Sequence, residues 1–364
     1  MLYRARGISF YTLCKELASK FSMSISNARR YLYRVRQAIE KGILRLTTEI
    51  DLGALGLCLV VVVLRNARVR EEALKRSLPY VRSIAPLLPR GVAITLYMPK
   101  PRSVERSILN KGVYLAEDRL KNRFELWRYV DRVSKEPQWF VSTESIRSIV
   151  IPALDECDSG CSEAYESSSV DVSYELLVTL SKFENEPLAK IDEIASYIEE
   201  SFREEGRSIE PGEAKSIALR VANESRKVTR GVRLLFLSKI RGICDASLLV
   251  IMRGRSYSEA RRFARALLKH PVFGAVALSS DGTMLINVFW QMTRANELIK
   301  ELESVGELAG ASLVEYFLSR RGSGVRFGVP CMLGKELATS GRGWIPPDAM
   351  HVLRDIFKEV IEYL

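Results

Sequence analysis

Histidine is nearly absent from this sequence of 364 residues, which holds only His270 and His351. A zinc site would have to recruit its ligands from distant parts of the chain. Cysteine is scarce and scattered as well, and of the six only Cys157 and Cys161, in ECDSGC, stand close together. An unpaired CxxxC is weak as a metal motif, so no metal and no cofactor are expected. The thiols read as reduced, with a local Cys157–Cys161 disulfide as the alternative. The longest apolar run is LGLCLVVVVL, Leu55 to Leu64, about half of the roughly 20 residues that a membrane-spanning helix needs. The start lacks the apolar stretch and small-residue cleavage site of a secretion signal, which predicts a cytoplasmic protein with no membrane partner. Paired carboxylates, a nucleophile motif and a phosphate loop are also missing, which argues against an enzyme.

Acids are few at the N-terminus. Residues 1 to 50 hold Glu16, Glu40 and Glu49 against ten lysines and arginines, within a chain of formal charge +11 and pI near 9.4. Such a balance suits a polyanionic partner. Four of these arginines, Arg29, Arg30, Arg34 and Arg36, fall in SMSISNARRYLYRVRQAIEKGIL, Ser22 to Leu44. Ala28, Leu32, Val35 and Ile39 recur there at helical spacing, so one face is buried and the other basic. Upstream, Leu13, Leu17 and Phe21 mark a second amphipathic helix, and Ser22-Met23-Ser24 joins the two. Ser24 or Ser26 can cap the second helix. Two helices joined by so short a turn, the second basic, read as a helix-turn-helix whose second helix enters the major groove of double-stranded DNA. The candidate DNA-binding residues are Ser24, Ser26, Asn27, Arg29, Arg30, Tyr33 and Arg34. Ser26, Asn27 and Arg30 are placed for base edges, Tyr33 and Arg34 for phosphates, and Arg36 nearer the back. A merely solvated charged face is the alternative.

After Leu44 the period changes. CLVVVVLR, Cys58 to Arg65, is short, β-branched and reads as a buried central strand. A helix in REEALKRSLPYV follows, then strands at 83–88 and 92–98 meeting at PRG, a helix from about Ser103 to Leu120, and a strand RFELWRYV, Arg123 to Val130. The order βαββαβ is the ferredoxin-like unit. The second half repeats it: LLVIMR matches VVVVLR at an offset of 188, and SEARRFARALLKH, AVALSS, MLINVFWQM, ANELIKELES and SLVEYFLS supply the remaining elements. AKSIALRV, Ala214 to Val221, aligns with ARRYLYRV, Ala28 to Val35, at an offset of 186, with helices at Tyr174 to Lys182 and Ile191 to Phe202 ahead of it. The fold class is therefore α+β, two copies of a (winged) helix-turn-helix plus a ferredoxin-like βαββαβ domain. Boundaries fall at 1–46, 47–141, a Ser-rich linker 142–173, 174–235, 236–328 and a C-terminal extension 329–364.

LASKFSMSISNARRYLYRV resembles the helix-turn-helix of the Lrp/AsnC (feast/famine) regulators, and GILRLTTEIDLGALGLCLVVVVLR resembles their hinge strand leading into a ferredoxin-like effector domain. The resemblance implies a sequence-specific transcription regulator whose two effector sheets pair face to face within one chain as a pseudo-dimer, with further homodimerisation needed to read a palindrome. Two independent domains joined by a linker are the alternative. Only MLYRARG precedes the first motif helix, where the family has a full helix. The turns PRGVA and SSDGTM depart from the glycine and aspartate that the family carries near its amino-acid pocket. Amino-acid sensing is therefore not carried over, and any small-molecule effector is unassigned.

Lys215, Arg220, Arg226 and Lys227 of the second motif are outnumbered by Glu199, Glu200, Glu204, Glu205, Glu210, Glu213 and Glu224, so this copy reads as structural. The last residues, PPDAMHVLRDIFKEVIEYL, read as an amphipathic helix with Met350, Leu353, Phe357 and Ile361 on one face. Two other functions stay open. A nonspecific chromatin protein would bind without sequence preference. A siroheme-decarboxylase-like enzyme, in which the resemblance implies a catalytic pair of regulator-like halves, would draw on His270, which reads more simply as a charged end to its helix.

Overall fold

The computed structural model describes residues 10–20, 22–40, 44–70, 72, 80–99, 112–116, 118–121, 136–156, 171–187, 189–204, 206, 208–210, 212–225, 227–236, 244–320, 324–326, 354 and 357–363. They divide into two compact units that cut across the sequence repeat. One unit contains both helix-turn-helix motifs, and the other contains both ferredoxin-like halves.

In the first unit, α1 (Phe10–Lys20) and α2 (Ile25–Glu40) are followed by β1 (Leu44–Ile50). The second copy contributes α4 (Tyr174–Asn185), α5 (Ile191–Glu204), α6 (Glu213–Ser225) and β8 (Thr229–Phe236). Its three helices close on a core of Tyr174, Val178, Ile194, Ile198, Phe202, Ala214, Ala218 and Val221, with the Tyr174 and Phe202 rings 5.4 Å apart. Strands β1 and β8 form an antiparallel ribbon in continuous register from Leu44↔Phe236 to Glu49↔Gly231. The Thr48 hydroxyl donates to the Phe183 carbonyl at 2.7 Å, tying the wing of the first copy to a helix of the second.

The second unit holds two five-stranded antiparallel sheets. The first is built from β2 (Leu57–Arg65), β4 (Val81–Leu87), β5 (Gly91–Pro99) and β6 (Val113–Ala116), and the second from β9 (Ala246–Gly254), β10 (Phe273–Leu278), β11 (Thr283–Trp290) and β12 (Ala311–Arg320). In each, the first strand of the half lies between its third and fourth, the ferredoxin-like order. The fifth strand of each sheet comes from the other half. After β6 the chain supplies β7 (Asp118–Lys121), which pairs with β10 from Leu278↔Asp118 to Ala275↔Lys121. After β12 it supplies β13 (Val325–Arg326), which pairs with β4 at Val325↔Ile84 and Arg326↔Ser83. The exchange is reinforced by Leu88, whose amide donates to the Leu318 carbonyl at 2.6 Å. Arg65 on β2 also grips Glu315 on β12 through Nε at 3.1 Å and Nη2 at 2.5 Å.

Helices α7 (Tyr257–Leu267) and α8 (Ala295–Leu308) cover one face of the second sheet, burying Leu248, Val250 and Met252 with Phe263, Phe273, Trp290 and Leu302. Ile251, pointing the other way on β9, is also fully buried. Short strands β3 (Ala67–Val69) and β14 (Ile361–Tyr363) pair antiparallel, so the end of the chain returns to the first half.

Three expectations are corrected. Residues expected in a helix up to Leu120 form β6 and β7, because Val113, Tyr114 and Leu115 stand beside the β-branched run of β2. The segment expected as linker from 142 contains α3 (Thr143–Glu156), whose Ile146, Val150, Ala153 and Leu154 enter the core against α7 and α8. At the C-terminus, residues 357–360 are helical, but Ile361 belongs to β14 and meets Val69. Residues 1–9, 73–79, 100–111, 122–135, 157–170 and 327–353 lie outside the described residues, with the expected helix from Ser103, the strand Arg123 to Val130 and the Cys157–Cys161 pair among them.

The placement of α3 has a measurable consequence. Ile146 is fully buried, so Ile146→Ala should lower the unfolding free energy by about 2–5 kcal/mol, measured by urea denaturation. A change within about 0.5 kcal/mol, typical of a surface or linker site, would contradict this packing.

Candidate nucleic-acid interface

The basic helix begins from an ordered turn. Ser22 closes α1 in the left-handed conformation, with φ of 50°. Its amide donates to the Ser19 carbonyl at 3.4 Å, and the Met23 amide donates to the Ala18 carbonyl at 2.9 Å. This pair of bonds is the Schellman closure, here with serine where glycine is usual. Met23 then packs on Ala18, with Cys14, Ala28, Leu17 and Leu32 alongside. Ala28 is fully buried, which lets α2 approach α1 closely and turns its N-terminal half outward.

Ser24 is the cap. Its Oγ accepts from the Asn27 amide at 3.2 Å, and its carbonyl accepts from the Ala28 amide at 3.0 Å. Beyond it, Ser26, Asn27, Arg29, Arg30, Tyr33 and Arg34 are all exposed, Tyr33 by 60%. The structure thus brings all seven expected residues to one helix and its entry turn. Arg30 donates through Nη2 to Asn27 Oδ1 at 3.3 Å, a turn-spanning contact that holds the guanidinium near the helix start. Among the described residues, no carboxylate lies within ion-pair distance of Arg29, Arg30 or Arg34. The side chains of Val35, Arg36 and Ile39 lie outside the described residues. Tyr11, 62% exposed, and Lys15, also exposed, lie one turn apart on α1, the helix that in this motif crosses the DNA backbone. Their spacing of four was the signal for them, where the sequence reading had drawn only on α2 and its entry turn.

The second motif presents different chemistry at the corresponding positions. Lys215 is paired with Asp192 at 2.8 Å, which raises the lysine pKa and lowers that of the aspartate. Arg220 is paired with Glu224 at 3.4 Å on its own helix. Glu213 accepts from the Glu210 amide at 3.3 Å, placing a carboxylate at the helix start where an approaching phosphate would need an open amide.

His270 is not a charged helix end. It is fully buried, and its Nδ1 accepts from the Val272 amide at 3.3 Å. The ring proton therefore sits on Nε2, which donates to Ser145 Oγ at 2.9 Å, and the Ser145 hydroxyl donates to the Ser142 carbonyl at 2.7 Å. Phe140 and Phe273 stand edge-on to the ring. Burial pushes the imidazole pKa from its ordinary 6.5 down to about 3. Sealed and neutral, it is a structural bridge between α3 and the loop after α7. Among the described residues no group of three or more histidine, cysteine, aspartate or glutamate side chains could hold a metal ion, and no helix is long and apolar enough to cross a membrane.

No protein-family model matches this chain, and no curated protein is significantly similar to it. Among solved structures, the crystal structure of the siroheme decarboxylase NirDL aligns at 11% identity and a TM-score of 0.41, over 90% of this chain and 93% of that one. The same enzyme in co-complex with an iron-uroporphyrin III analogue aligns at 11% identity and a TM-score of 0.39, over the same shares.

A histidine whose folded pKa is depressed destabilises the fold as pH falls, because the unfolded chain takes up a proton below 6.5 that the folded chain refuses until about 3. In that window the loss approaches about 1.4 kcal/mol per pH unit. Between pH 7 and pH 5, the fall in unfolding free energy should be about 2 kcal/mol smaller in His270→Gln than in the wild type, by urea titration at each pH. Equal falls would mean that the imidazole is reachable by protons in the native state.

Proposed function

We propose that this protein is a sequence-specific, DNA-binding transcription regulator of Lrp/AsnC type that reads double-stranded DNA with α2. The observation that carries the proposal is a capped helix start whose exposed residues are serine, asparagine, tyrosine and three arginines without carboxylate partners among the described residues. Each chemical element of groove reading is present. The helix N-terminus attracts phosphate. Arg30, held near the helix start by Asn27, has the planar fork that fits the guanine edge. Ser26 and Asn27 offer short polar groups to neighbouring bases, while Tyr33 and Arg34, a turn later, fit phosphates. Lys15 and Tyr11 extend the phosphate contact along α1.

A siroheme-decarboxylase-like enzyme would draw on histidine and arginine in a cleft, and the ring nitrogens of His270 are both engaged inside the core. His351 lies outside the described residues.

Binding to a selected duplex and to a scrambled one across a salt series tests the proposal. Arg30→Ala should cost about 1–3 kcal/mol on the selected duplex and relax preference at one base pair. Arg34→Ala should weaken both duplexes alike and reduce the salt slope by about one unit. Charge reversal at Lys215 and Arg220 should leave both affinities nearly unchanged. Unaltered affinity and slope in the Arg30 and Arg34 variants would reduce the basic face to a solvated surface. Equal affinity for both duplexes in the wild type would indicate a nonspecific chromatin protein.

A further inference from the structure

The outer face of α6 is the counterpart of the groove-reading face of α2, with its chemistry inverted. The offset of 186 sets Glu210 at the place of Ser24, Glu213 at that of Asn27, Ser216 at that of Arg30 and Leu219 at that of Tyr33. Ala214, Ala218 and Val221 bind α6 to its own core. Glu210, Glu213, Ser216 and Leu219 all point away from that core, with Leu219 51% exposed. The two basic residues on this face, Lys215 and Arg220, are neutralised by Asp192 and Glu224. What remains is a large aliphatic side chain beside carboxylates, those of Glu210 and Glu213, that have no cationic partner among the described residues, a surface suited to a basic partner with an apolar centre.

The α2 face fits that description. It carries Tyr33, 60% exposed, among Arg29, Arg30 and Arg34. Those arginines have no carboxylate partner among the described residues, so Glu210 and Glu213 do not serve them within the chain. We propose that the α6 face of one copy docks on the α2 face of a second copy, with Leu219 against Tyr33 and Glu210 and Glu213 against the arginines. Every chain offers one face of each kind, so the contact runs head to tail, and it closes into a dimer where both faces of each chain are met by the same partner. The docked arginines are those assigned to DNA. As regulation, the inference therefore rests on the DNA-binding reading: the self-paired form cannot bind DNA, and DNA releases the single chain.

Sedimentation of the full chain tests the docking without DNA. The wild type should self-associate at micromolar concentration in about 50 mM salt and dissociate in about 500 mM, where exposed charges are screened within a few ångströms. Glu213→Lys with Leu219→Lys should weaken association at least about tenfold at low salt while retaining duplex binding. Arg29→Glu with Arg30→Glu should weaken it equally, and mixing the two variants should restore association, since each keeps the face the other has lost. A saturating duplex that carries a single half-site should convert associated wild type into complexes of one chain on one duplex. The docking is overturned if the wild type stays monomeric at low salt, if the Glu213/Leu219 variant associates as the wild type does, if mixing restores nothing, or if duplex-bound protein remains associated. If no protein binds duplex while the salt-sensitive association and its rescue persist, the docking stands and the DNA-binding reading fails.

Discussion

The amides and carbonyls along a strand edge need partners, and in this protein each copy of the repeat finds them on the other. A two-stranded ribbon is marginal alone, yet β1 and β8 pair over their whole length, with α4 of the second copy and α2 of the first packed against β1. In the sheets the dependence is reciprocal: β7 completes the second sheet at β10, and β13 completes the first at β4. Each donated strand covers an edge that would otherwise be open to pairing with another molecule. The covalent link between copies keeps their mutual concentration high without assembly from separate chains. The ferredoxin-like halves thus belong to one unit because neither sheet is finished without the other.

Much of this was legible because burial writes a period into the sequence. CLVVVVLR is flanked by β5 and β6 and buried from Leu59 to Val63, as a continuous β-branched run requires. The elements of the second half fall where LLVIMR, SEARRFARALLKH and ANELIKELES place them. The paired-head arrangement was not legible, since strand pairing between residues some 190 positions apart leaves no local pattern, as at Leu44 and Phe236. Helix α3 was hidden by its setting: Ser142, Ser145 and Ser148 make a helix entry look like a serine-rich loop, although Ser142 Oγ caps the helix by accepting from the Ser145 amide. Residues 113–121 were drawn into a helix by their neighbours, and only cross-strand partners reveal them as β6 and β7.

In the candidate site, composition and spacing were enough to select residues but not to order them. That Ser24 and not Ser26 is the cap follows from where α1 stops. The stop depends on Ser22 in a left-handed conformation that no glycine announces. The Asn27 to Arg30 contact, spaced by three on the same helix face, could be inferred from sequence only once the helix start was fixed. His270 was the opposite case. A lone histidine after a helix looks like a polar terminus, and only its complete burial between Ser145 and the Val272 amide shows that it is neutral and part of the core.

Joining two copies in one chain frees them from a constraint that binds a homodimer, in which every substitution falls on both heads. Here Asn27 and Glu213, or Tyr33 and Leu219, can differ because they are separate codons of one polypeptide. The structural positions have kept their character, since Ala28 and its counterpart Ala214 are both buried to within 1% exposure. The outward positions have diverged in charge. Such a pattern follows when packing restricts the buried side of a helix to small residues, while the outer side answers only to what it meets. The two outer faces of this protein have opposite electrostatic sign, so whatever each one meets must differ in charge as well.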